Sequence, residues 1–67
     1  MSYFRKRLME EYSQLLDRIE KLKTFIVSDA FDSLPDIERK DLKEQLKHME
    51  AYFNVLSHRV SRLCNNA

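Results

Sequence analysis

The sequence predicts an all-α protein, an antiparallel two-helix hairpin with a short helical turn in its link that assembles into a helical homo-oligomer. Two long stretches of helical apolar periodicity carry that prediction. So does the absence of any Gly, with a single Pro, in 67 residues. A chain of this size is expected to form one domain, here residues 1–67, and to leave apolar surface it cannot cover by itself.

The first stretch places Phe4, Leu8, Tyr12, Leu15, Ile19, Leu22 and Ile26 at intervals of three and four, which keeps one stripe along an α-helix. Glu, Lys, Arg and Gln fill the intervening positions and favour the same conformation. A helix is expected over about 3–27. The second stretch, Leu42, Leu46, Met49, Phe53, Leu56, Val60 and Leu63, alternates intervals of four and three and approaches a heptad seam. Pro35 suits the first helical position, where a missing N–H costs nothing. Asp36 and Glu38 then put negative charge in the first turn, where the helix dipole favours it. This helix is expected over about 35–63, with residues 65–67 fraying.

Between them, residues 28–34 hold a concentration of Ser and Asp, residues that satisfy free backbone N–H groups locally. Phe31 and Leu34 are too apolar for a floppy connector. The reading is a short helical turn whose Phe31 and Leu34 close the end of the hairpin; the alternative is an unstructured link. Helices so joined fold back on each other, each roughly 36–44 Å long at 1.5 Å per residue. Met9, Leu16 and Phe25 on the first helix, with Tyr52 and Val55 on the second, flank the stripes. They are expected to be exposed and so to form an interface between copies.

Charge is distributed unevenly behind a net +1. Residues 1–9 carry Arg5, Lys6 and Arg7 with no acid, and residues 51–67 carry Arg59 and Arg62 with none. Residues 10–50 hold seven basic and eleven acidic side chains. An antiparallel hairpin gathers the five unopposed cations at one end, beside Tyr3, Phe4 and His58. Arginines next to aromatic rings suit phosphates and stacked bases. Charge alone also admits the plainer reading, in which Arg59 and Arg62 favour a helix C-terminus and the N-terminal cations are solvated. The acidic middle opposes coating of a DNA backbone, so no DNA partner is expected.

Catalysis finds little material. Without Gly there is no phosphate-cradling loop and no dinucleotide fingerprint. One Cys rules out an internal disulfide framework and a cysteine zinc site, and favours a reducing compartment. Cys64 reads as a small hydrophobe or an incidental thiol. Glu44 and His48 share a face, but two groups make a weak metal site. Ser57 and His58 point about 100° apart around a helix and make no nucleophile–base pair. Glu10 and Glu11 read as a solvated face, Tyr12 and Phe53 as core. No enzyme, cofactor, metal site, membrane span or secretory signal is expected.

The ordered residues Leu22, Phe25, Ile26, Ser28, Ala30, Phe31 and Leu34, continued by Leu42, Gln45, Leu46, Met49, Tyr52, Leu56, Arg59 and Val60, resemble the small anti-CBASS sponge proteins of tailed bacteriophages, the second anti-CBASS family. The resemblance runs from about Tyr3 to Val60. The aromatic-aliphatic-x-Ser-x-Ala-Phe-x-x-Leu link is its most specific part, because periodicity alone does not require that order.

The resemblance implies a compact helical homohexamer in the host bacterial cytoplasm. Such proteins bind cyclic oligonucleotide second messengers, cyclic dinucleotides such as cGAMP and in some members cyclic trinucleotides. They hold them without cleavage and starve an immune effector of its signal. It also implies ligand-binding roles for Tyr3, which would stack on a base, for Arg18 and for Arg59. The family pattern has lysine at position 18, so this chain keeps the charge and changes the hydrogen-bond geometry. Arg5, Arg7 and Arg62 are further candidates for phosphate contacts. Tyr3 and Arg59 converge at the cationic end of a hairpin. Arg18 lies about 22 Å along the helix from Tyr3 and meets the same ligand only if a second protomer supplies it. The rival readings are a helical adaptor, or a small regulator of a host enzyme or nucleic acid, acting through the apolar faces or the basic end.

Overall fold

The computed structural model describes residues 2–65. Two long helices, α1 (Ser2–Ile26) and α3 (Asp36–Asn65), pack antiparallel, with the single-turn helix α2 (Asp29–Asp32) between them. The molecule is a rod of 48 × 15 × 15 Å. No helix among the described residues is long and apolar enough to cross a membrane.

The core lies where the stripes meet. Leu8, Leu15 and Ile19 of α1 are buried against Leu56 of α3, flanked by half-buried Tyr12, Leu46, Met49, Phe53, Val60 and Leu63. Tyr12 and Phe53 stack across the helices with centroids 4.9 Å apart and planes 26° from parallel. Burying a leucine-sized side chain contributes about 1.5–3 kcal/mol. Among the described residues only Leu56 is wholly enclosed, so this seam is thin for a free-standing domain.

The link forms the expected helical turn. The Oγ of Ser28 accepts from the Phe31 N–H at 3.3 Å, capping α2, and donates to the Phe25 carbonyl at 2.6 Å, fastening α2 to the end of α1. Phe31 is buried, edge-on to Phe25 at 6.0 Å and 89°, with the Lys43 ammonium 5.8 Å from its centroid. Arg39 donates to the Asp32 carbonyl at 3.1 Å and pairs with Asp36, tying the start of α3 to the end of α2.

Four expectations require correction. Phe25 is half-buried, because Phe31 folds back onto it. Val27 and Ile37, absent from the expected exposed set, stand 83% and 62% exposed beside the link. Pro35 precedes α3, and its carbonyl accepts the N–H of Arg39, a capping position one residue outside the expected first helical one. Asn65 continues the helix past Leu63 instead of fraying; residues 66 and 67 lie outside the described residues.

A candidate anion-binding face at the open end of the hairpin

Antiparallel pairing sets the first turns of α1 against the last turns of α3. Arg59 reaches across so that its guanidinium carbon lies 5.9 Å from the ring centroid of Phe4. One turn along α1, Arg7 donates to the Tyr3 hydroxyl at 2.7 Å and lies 5.6 Å from that ring's centroid. Two arginine–aromatic pairs thus stand at one end. The rings are open to solvent, Tyr3 69% and Phe4 50% exposed. A guanidinium has five N–H donors, so one placed beside a ring still has donors to offer a phosphate.

A cleft of about 210 Å³ opens between Phe4, Arg7, Leu8, Glu11, Tyr52 and Arg59. A second, of about 240 Å³, lies between Phe4, Leu8, Arg59, Arg62 and Leu63. Arg59 and Phe4 border both. The first cleft holds a polar contact between the long helices. The Tyr52 hydroxyl donates to the Glu11 carboxylate at 3.0 Å. That hydrogen bond, with the negative charge it faces, holds the phenol above its ordinary range, and the nearby Arg59 pulls the other way.

Of the six sequence-derived candidates, Arg59, Arg7 and Arg62 border these clefts, and Tyr3 is bonded to Arg7. Arg5 and Arg18 are exposed and border neither cleft. Arg5 is two residues from Arg7, about 200° around the helix, so it faces the opposite side of the rod. Arg18 is seven residues beyond Glu11, nearly two full turns, and shares its flank while standing about 10 Å further along. Glu11 and Tyr52 were not among the candidates. Their signal was available in the spacing, since Glu11 follows Arg7 by four residues and Tyr52 precedes Arg59 by seven.

The groups set aside as chemistry lie at the surface. His48 stands 3.6 Å from Glu44 on one helix face, and Cys64 is exposed, which removes the reading of it as a buried hydrophobe. On the other side of the rod, Leu16, Lys23, Glu50 and Asn54 border a groove of about 390 Å³, spanned by the Lys23–Glu50 ion pair at 3.8 Å.

A family model described as Sequestin matches residues 2–62, which spans α1, the link and nearly all of α3, including both clefts. The chain belongs to the Sequestin family. Neither a curated protein nor a solved structure matches it. Sequestin proteins form a phage family that sequesters cyclic nucleotides, and membership points to binding of small signalling molecules rather than to catalysis. An exposed arginine–aromatic face is the kind of surface such binding needs.

Proposed function

We propose that this Sequestin binds cyclic oligonucleotide second messengers, cyclic dinucleotides such as cGAMP with cyclic trinucleotides as a further class, and holds them intact in the cytoplasm of a bacterial host. Free messenger falls, and CBASS effectors lose their activating signal. The observation that carries this reading is the side-by-side placement of Arg59 on Phe4 and Arg7 on Tyr3 at one end of the hairpin. Rings of this kind stack on bases, at about 1–3 kcal/mol per base. Charge-assisted bonds from arginine to phosphate add roughly 1.5–3 kcal/mol each. The ligand-binding residues proposed are Tyr3, Arg18 and Arg59, with Arg7 and Arg62 as further phosphate contacts. Arg5 has the weakest claim, because it faces away from the clefts.

Assembly is part of the proposal. The clefts are shallow, and enclosure is what converts such contacts into tight binding. A homo-oligomer, six copies by resemblance, would close the open end and bring Arg18 from a neighbouring protomer to the ligand. Met9 and Leu16 on one helix, with Tyr52 and Val55 on the other, remain 39–54% exposed and offer the apolar surface for it. The same side chains favour the second reading, a helical adaptor that acts by docking on another protein.

The test is isothermal titration of the purified protein with cyclic di- and trinucleotides, followed by denaturation and chromatography of the released ligand. Submicromolar binding with intact ligand recovered supports sequestration. Recovery of linear products would make the protein a hydrolase. Absence of heat and of retention across the panel would leave the adaptor reading.

A further inference from the structure

The cleft beside Phe4 contains an acid among its arginines. Glu11 borders it together with Arg7 and Arg59, yet among the described residues it is ion-paired with neither. Arg7 is turned to Tyr3 and Arg59 to Phe4, and the partner of Glu11 is the Tyr52 hydroxyl. That contact does not require a negative charge, because an amide oxygen would accept the same hydrogen bond. For phosphate binding the charge is a handicap, since like charges at this range repel. The carboxylate therefore stands at the cleft with acceptor capacity that its bond to Tyr52 does not exhaust.

We infer that Glu11 is a specificity-determining residue that reads the Watson–Crick edge of guanine in the bound messenger; this rests on the nucleotide-binding reading of the same cleft. Guanine presents two adjacent donors on that edge, the ring N1–H and the exocyclic amino group, and a carboxylate presents two acceptor oxygens at matching separation. The oxygen that accepts from Tyr52 keeps a second lone pair. Adenine presents one donor beside an acceptor nitrogen, and that nitrogen repels the second carboxylate oxygen. Stacking on Tyr3 or Phe4 tolerates every base, so discrimination has to come from an edge contact. The Tyr52 phenol acts as the positioning residue that holds the carboxylate at the cleft.

Titration calorimetry with cyclic di-GMP, cyclic di-IMP and cyclic di-AMP at one salt concentration tests the assignment. Hypoxanthine differs from guanine only by loss of the amino group. The wild type is expected to bind cyclic di-GMP at least about tenfold more tightly than the other two, the usual scale of discrimination by a bidentate base contact. Glu11→Gln retains an acceptor for Tyr52 and is exposed, so the helical circular dichroism stays unchanged. It is expected to bring the three affinities within a factor of about two of one another. A guanine preference that survives Glu11→Gln overturns the inference. So does equal tightening of all three ligands, the signature of a carboxylate that only repels phosphate. If wild type and variant bind none of the three, the nucleotide-binding reading falls first, and the Glu11 assignment falls with it.

Discussion

The guanidinium of Arg59 lies over the ring of Phe4, 5.9 Å from its centroid, and joins the last turns of α3 to the first turn of α1. The contact is partly exposed and contributes little to folding, on the order of 0.5–1 kcal/mol. Its importance is positional, because it presents a cation and an aromatic face to the same two clefts.

Arg59→Ala is therefore expected to weaken cyclic-dinucleotide binding by roughly ten- to hundredfold, the size of a lost charge-assisted bond. The urea midpoint should hardly move. Arg59→Lys should recover part of the affinity, since a point charge replaces a planar fork. Equal affinity for wild type and Arg59→Ala in calorimetry would remove Arg59 from the site.

Leu56 is the only wholly enclosed side chain among the described residues, and it seals the seam formed by Leu8, Leu15 and Ile19. Leu56→Ala should cost about 2–5 kcal/mol through lost transfer energy and the cavity left behind. In a core this small that loss should unfold much of the population at ambient temperature. Urea titration followed by circular dichroism measures it. A loss below about 1 kcal/mol would mean that the seam collapses around the gap.

Ser28 both caps α2 and bonds back to the end of α1. Ser28→Ala should destabilise by about 1 kcal/mol, the usual cost of a lost N-cap. The exposed Ser13→Ala in mid-helix should stay within about 0.5 kcal/mol of wild type. If the two variants unfold at the same urea concentration, the link contributes no specific capping.

The Tyr52 phenol is held above its ordinary value of 10.0 by its hydrogen bond to Glu11. A raised pKa favours the protonated, folded form. The contribution to stability is fully present below pH 10.0 and is lost as pH rises through the folded-state value. Subtracting the tyrosinate absorbance titration of Tyr52→Phe from that of wild type should isolate a transition above 10.0. In Glu11→Gln that transition should move down. A difference curve centred at or below 10.0 would show that the contact is not kept in solution.

Much of the fold was legible in the chain because helix formation here is a local matter. The stripes from Phe4 to Ile26 and from Leu42 to Leu63 need only one period to be recognised, and the helices match the expected ranges 3–27 and 35–63 to within two residues. The Ser-Asp link was equally readable, since Ser28 caps its own neighbour. The burial of Phe25 is not legible in the chain, because its cover, Phe31, returns through a turn whose path no periodicity encodes. The exposure of Val27 and Ile37, which flank the link, is likewise not encoded in the periodicity. Glu11 and Tyr52 meet 41 residues apart, and each alone reads as an ordinary solvated acid or flanking aromatic.

The sequence by itself determined two amphipathic helices, a capped turn and a surplus of cations toward both ends. Each of those depends on residues within a few positions of one another. The tertiary structure decided which side chains of one helix face which of the other. It set Arg59 on Phe4 and brought Tyr52 to Glu11. Those outcomes depend on the rotation of one helix against the other, which is settled by how Leu56 seats among Leu8, Leu15 and Ile19. That packing is a property of two distant segments together and is written in neither alone.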